Sequence, residues 1–406
     1  MRLLAPFRAL RPPAALAPRL AVPPYDVVSS EEARAYAAGN PQSFFRVSRP
    51  EVDLPPGTDE HSAAVHSRGK ENLAEFRRKG WLLLDDAPGF FLYRQQMGKH
   101  VQTGLVASAS VDAYRAGAIK RHELTRPDKE DDRTQHIDAL AANDEPVFLA
   151  YRARPELDAL LARGSARPAD VDFTSSDGVR HIIWRLSPQE NGELERALMG
   201  LDALYIADGH HRSAAAARAQ ELHRSRGGGP GESDWFLSVV FPHDQLQILP
   251  YNRLVKELGP DGPKGLLAAL GRRFEVTPAT SPEPPGRHSF GLYVDGRWWR
   301  LVARPETIPT DPRAALDVSL LQEGVLGPVL GITDPRRDPR IEFCGGIRGT
   351  AELTARVDRG EAKAAFVLWP TSMQELLAIS DAGEIMPPKS TWFEPKLRSG
   401  LFLHPF

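Results

Sequence analysis

The stretch Leu204-Tyr205-Ile206-Ala207-Asp208-Gly209-His210-His211-Arg212-Ser213-Ala214-Ala215-Ala216 constrains this chain more than any other. Its apolar start, bounded by Asp-Gly, is the pattern of a short buried strand stopped by a turn. An alanine-rich run follows with no breaker before Gly227, so a helix is predicted from about His210 or His211. Strand, turn and helix then set Asp208, Gly209, His210, His211, Arg212 and Ser213 at a first helical turn, where backbone N–H groups have no intrahelical partner. Such an end attracts anions, and Arg212 can grip phosphate with two hydrogen bonds. The same letters would also make an ordinary turn, with Asp208 as N-cap and both histidines solvated. The strand before and the small-residue helix after favour a site. Zinc is not expected there, because adjacent histidines diverge around a helix and the one cysteine, Cys344, is far away in sequence.

With 406 residues, 41% hydrophobic and 26% charged, the chain is long enough for two domains of ordinary globular composition. A net charge of −2 gives no global field for nucleic acid. A single cysteine excludes an intrachain disulfide framework and fits a reducing compartment, most simply the cytoplasm. No apolar run approaches the length of a membrane span, and residues 1–22 lack the unbroken apolar centre of a signal peptide.

Along the chain, a helix is predicted after a cap at Ser29 or Ser30, then a turn and strand over 40–47, and an amphipathic helix over 61–79. Residues 90–95 and 103–114 read as paired strands, 133–142 as a helix, and 146–152 and 181–186 as strands each followed by a helical stretch. Residues 235–241 read as a strongly apolar strand with 245–249 as its partner. Asp295-Gly296 between two alternating runs is the strongest hairpin signal. Composition shifts near Gly259, so the boundaries are set at 1–258 for a first α+β domain and 259–406 for a second. The second domain's proline-rich, non-helical tail is expected to return to the Asp-Gly motif.

Two further polar clusters accompany that motif. The block Lys120 to Arg133 holds His122, Glu123, Thr125, Lys129 and Arg133; a buried glutamate there can serve as general base, and Lys129 or Arg133 can hold phosphate oxygens. Lys389-Ser390-Thr391 is a donor-rich segment suited to an anion, without the Gly-x4-Gly spacing of a P-loop. Tyr25 and Asp26 form a weaker N-terminal group, and Lys396 adds a cation in the tail.

Pro23-Pro24-Tyr25-Asp26-Val27, His122-Glu123-x-Thr125, Ala207-Asp208-Gly209-His210-His211-Arg212, Pro250-Tyr251-Asn252-Arg253 and Met386-Pro387-Pro388-Lys389-Ser390-Thr391 stand in this order along the chain. The set resembles a bacterial and archaeal family known as domain of unknown function 1015. The Asp-Gly-His-x-Arg element is similar to one in the ParB-like superfamily, which includes chromosome-partitioning CTP-binding proteins and free-serine kinases. That resemblance implies an α+β fold of mixed sheets and short helices, with a ParB- and serine-kinase-like core around the strand-turn-helix. It carries Asp208, Gly209, His211 and Arg212 across as phosphate contacts. The kinase glutamate has no clear counterpart, so Glu123 takes its place on chemical grounds.

The expectation is therefore a phosphotransferase moving a phosphoryl group from a nucleotide, ATP or ADP with Mg2+, to a small hydroxyl metabolite such as free serine. Glu123, Asp208 and His211 are the catalytic candidates, with Asp208 also placed to hold Mg2+. Gly209, His210, Arg212, Ser213, Lys129, Arg133, Lys389, Ser390 and Thr391 are expected at the phosphates, and Tyr25, Asp26, His122, Thr125 and Lys396 at the substrate. A non-catalytic nucleotide-binding switch and a phosphoester hydrolase are the alternatives on the same residues.

Overall fold

The computed structural model describes residues 1–406. The chain forms two compact units, Met1–Leu246 with Pro395–Phe406, and Gln247–Glu394.

The first unit is built on a mixed sheet in the order Ile119–Lys120, Leu204–Asp208, Val147–Tyr151, Trp235–Pro242, His100–Ser110, Phe91–Met97, Arg180–Arg185, Val171–Thr174, with Leu4–Ala5 also pairing His100–Ser110. The central strands are covered on both faces, which is why Leu105-Val106-Ala107 and Phe236 to Phe241 read as apolar runs rather than alternating ones. Helices Pro127–Leu140 and His210–Ser225 pack together with Ile137 against Ala215 and Ala219, whose small side chains let the two backbones approach. The predicted helix over 61–79 is Ala63–Arg78. The helix predicted from Arg133 instead begins at Pro127, a residue suited to a first helical turn.

Three predicted elements differ. Residues 45–48 form a helical turn, not a strand, because Phe44, Phe45 and Val47 are all fully buried, whereas an isolated strand would turn alternate side chains outward. The strand predicted over 103–114 ends at Ser110, whose hydroxyl accepts from the Ala113 N–H at 3.1 Å and starts the helix Val111–Arg115. Gln247–Leu249 does not pair with Trp235–Pro242, since both edges of that strand are taken by His100–Ser110 and Val147–Tyr151; its partner is Trp392–Glu394.

The second unit holds an antiparallel sheet in the order Phe274–Ala279, Arg297–Ala303, Ser289–Val294, Ala364–Leu368, Tyr251–Val255, Ile341–Gly345. Its hairpin turns on Asp295 at φ 54 and Gly296 at φ 71, the two left-handed residues a tight two-residue turn requires. Because Tyr251–Val255 lies inside this sheet, the units divide at 246/247 rather than at the expected 258/259. The tail divides as well: 387–394 belong to the second unit and Pro395–Phe406 to the first. No helix is long and apolar enough to cross a membrane.

Candidate functional site

Leu204–Asp208 runs parallel to Ile119–Lys120 and antiparallel to Val147–Tyr151. Its register against the latter shifts between Ile206 and Asp208, a bulge that re-aims the side chain at the strand's end. Gly209 follows at φ 99, a backbone conformation that requires glycine, and a Cβ there would also crowd the Arg212 guanidinium at 3.0 Å. The helix His210–Ser225 then starts with no side-chain cap and no acidic residue in its first turn. Its leading N–H groups and positive dipole end are left for another partner.

Asp208 sits between two cations, Lys396 Nζ at 3.2 Å from its Oδ2 and Arg212 Nη2 at 3.4 Å. Burial alone would raise its carboxyl, but Lys396 and then Arg212 hold it well below the usual carboxylate range. The carboxylate expected to hold Mg2+ is thus already neutralised by protein cations and is not arranged for a metal. Arg212 also departs from expectation. It is buried, its Nη1 donates to the Pro146 carbonyl, and its Nη2 is buried without a hydrogen bond. It anchors the turn instead of reaching outward. Ser213 is buried and donates its hydroxyl back to the Gly209 carbonyl at 3.2 Å.

Beside this turn, His210 Nε2 accepts from the His122 backbone N–H at 3.4 Å, and His210 Nδ1 lies 3.9 Å from Glu123 Oε2. The His122 and His210 rings meet edge to face at 4.5 Å. Burial pushes His210 well below the ordinary histidine value and His122 down to about 4. Neither ring nitrogen of His122 makes a hydrogen bond; the Ile206 carbonyl is near but outside hydrogen-bonding geometry. Ligand atoms of His122, Glu123 and His210 lie within 4.8 Å of one another, a group able to hold a metal ion. Two imidazoles and a carboxylate suit zinc or manganese better than magnesium. The second imidazole comes from His122, 88 positions from His210, not from the adjacent His211, and the group does not include Cys344. His211 Nε2 accepts the Arg126 N–H at 3.0 Å, which ties the polar block to the helix start.

A buried charged network adjoins the turn. The Arg133 guanidinium stacks 4.2 Å from the Tyr25 ring centroid and bonds Asp132 at 2.8 Å. Tyr25 lends its backbone N–H, 3.1 Å, and Ser399 its hydroxyl, 2.8 Å, to Glu145 Oε1, while Glu145 Oε2 is buried without a partner. Burial, reinforced by Asp144, pushes the Glu145 carboxyl up to about 8. Asp26 is exposed, and its charge favours the charged form of Arg212. Glu145 and Ser399 escaped the sequence reading. The one signal was an acidic pair, Asp144-Glu145, set directly before the apolar strand Val147–Tyr151.

The structure thus gathers Glu123, Asp208, Gly209, His210, His211, Arg212, His122 and Lys396 around one turn, with Tyr25, Asp26 and Arg133 in the adjoining network. Lys129 makes no hydrogen bond or ion pair with the turn, its backbone N–H going to the Arg126 carbonyl, and Thr125 donates to Glu130. Lys389, Ser390 and Thr391 belong to the second unit, where Ser390 donates to the Pro387 carbonyl at 2.6 Å.

The fold and turn define an α+β protein with a bulged strand, a left-handed glycine and an uncapped helix start. The family described as "Protein of unknown function (DUF1015)" matches residues 4–319, and the chain belongs to it. No curated protein matches. Similar solved structures include a conserved hypothetical protein from Pyrococcus furiosus, 15% identical, covering 73% of this chain and 91% of that one, TM-score 0.33. A free serine kinase in complex with AMP is 14% identical over 73% and 88%, TM-score 0.35. SbnI with C-terminal truncation from Staphylococcus aureus is 13% identical over 72% and 85%, TM-score 0.38.

Proposed function

We propose that this protein transfers a phosphoryl group from a nucleotide, ATP or ADP, to a small hydroxyl-bearing metabolite such as free serine. The observation that carries the reading is the uncapped start of His210–Ser225, with Lys396 held at the Asp208 carboxylate and Glu123 Oε2 3.9 Å from His210. Phosphoryl transfer needs little covalent help from a protein; positioning and charge neutralisation suffice. The helix-start N–H groups and Lys396 take the phosphate oxygens, and Arg212 fixes the turn that presents them. Glu123 accepts the proton of the acceptor hydroxyl. That oxygen bonds to the terminal phosphorus as the bridging P–O bond breaks, and the nucleotide departs one phosphate shorter. A Mg2+ ion would arrive with the nucleotide, since Asp208 is not arranged to hold one by itself.

Calorimetric titration of ADP and ATP into wild type and Lys396→Gln tests the phosphate site. One charge-assisted contact is worth about 1.5–3 kcal/mol, so the variant should bind roughly ten-fold or more weakly. Equal affinity in a folded variant removes Lys396 from the site, and no nucleotide binding by wild type removes the reading altogether.

A further inference from the structure

Four arginines of this chain are buried: Arg133, Arg212, Arg253 and Arg398. Three face a carboxylate, Arg133 that of Asp132, Arg212 that of Asp208 and Arg398 that of Asp177. Arg253, in the second unit, faces none. It stands in Tyr251–Val255 opposite Phe343, with its guanidinium 4.6 Å from the Phe343 ring centroid and 5.8 Å from that of Tyr251. Its hydrogen bonds go to two neutral carbonyls, that of Tyr251 and, at 3.0 Å, that of Lys389. Burial accordingly weakens its hold on its proton, lowering it to about 10, with only Tyr251 acting against that.

The second carbonyl brings another cation. Lys389 is exposed, sits at φ 59, a left-handed conformation unusual for a side-chain-bearing residue, and places Nζ 5.5 Å from the Tyr251 ring centroid. No ion pair joins it to an acid. Its loop is fixed rather than loose: Ser390 donates to the Pro387 carbonyl, Thr371 donates to the Ser390 carbonyl at 2.9 Å, and Trp392 meets Tyr251 edge to face at 5.1 Å. Gly345 makes that packing possible, since a Cβ there would meet the Trp392 ring at 2.7 Å.

We propose that Arg253 and Lys389, arranged about Tyr251, form an oxyanion site in the second unit that takes a phosphate dianion, free or as the terminal group of a nucleotide. Aromatic faces offset only part of the cost of a buried cation, and an acid that would offset the rest is absent. Two positive charges match a dianion, whereas a carboxylate would balance only one. The guanidinium has N–H groups beyond the two given to the Tyr251 and Lys389 carbonyls, and the exposed lysine adds a mobile point charge. The proposal is independent of the reading given to the His210 helix start.

Isothermal titration with inorganic phosphate, and separately with ADP, into wild type, Lys389→Gln and Arg253→Gln is the test, with folding checked by circular dichroism. Lys389 is exposed, so its variant stays informative if Arg253→Gln fails to fold. Inorganic phosphate should bind wild type and bind Lys389→Gln at least ten-fold more weakly, while Lys396→Gln, altered at the other site, leaves the Lys389-dependent binding in place. A matching loss for ADP identifies the nucleotide as the source, and a loss for inorganic phosphate alone identifies the free anion. Unchanged phosphate affinity in Lys389→Gln, or no phosphate binding by wild type, overturns the proposal.

Discussion

Lys396 Nζ lies 3.2 Å from Asp208 Oδ2, across 188 positions of sequence. The tail reaches that position because it is fastened on both sides of its course. Ser399 exchanges backbone hydrogen bonds with Val22, Leu403 does so with Leu10, and His404–Pro405 pairs with Ala142–Asn143. Leu401, Phe402 and Leu403 are buried, which offsets the entropy of ordering a proline-rich segment.

The Asp208–Lys396 pair should behave as one unit. Its side chains are 27% and 15% exposed, between a surface and a fully buried pair, so Lys396→Met or Asp208→Asn alone should cost about 1–3 kcal/mol. The double variant should cost clearly less than the sum, as measured by urea unfolding. Strict additivity would show that the two groups do not interact.

Glu145 should give the protein a stability that declines towards alkaline pH. Its folded carboxyl keeps its proton up to about 8, whereas the unfolded one loses it near the ordinary value of 4.5. Between those values the folded state binds more protons, so stability falls as pH rises, by at most about 1.4 kcal/mol per pH unit. Glu145→Gln should remove this slope and leave the variant relatively more stable at pH 8 than at pH 5. Parallel stability curves for the two proteins would contradict it.

How much of this could be read beforehand varied with how local each feature is. The strand, the Asp-Gly stop and the alanine helix were legible because burial, turn chemistry and helix propensity are all written within a dozen residues. The same holds for the Asp295-Gly296 hairpin. The inward turn of Arg212 was not legible, since it depends on the Pro146 carbonyl lying 66 residues away. The partner of Gln247–Leu249 was misread for a related reason. Its neighbour in sequence had both edges occupied by strands from distant parts of the chain. Glu145 was missed because a carboxylate next to a strand looks solvated until Tyr25 and Ser399 are seen to close over it.

On the acid side, His122 sets an opposite trend. The folded imidazole stays neutral down to about 4, while the unfolded one protonates near 6.5. In that window the unfolded state binds more protons, so stability is lost as pH falls below about 6.5. His122→Phe has no ring nitrogen to titrate and should have a shallower acid limb in chemical denaturation run from pH 7 to pH 4. An acid limb as steep as the wild type's would mean that another group carries the effect.

The most direct measurement of the central claim is turnover by Glu123→Gln beside wild type, with a nucleotide and a panel of hydroxyl metabolites, read by mass spectrometry. Wild type should produce a phosphorylated metabolite. The variant should keep nucleotide affinity within a few-fold while turnover drops by about 10²–10⁴, the usual contribution of a positioned base. A phosphorylated product formed equally fast by the variant, or none formed by wild type with any acceptor, would contradict the account.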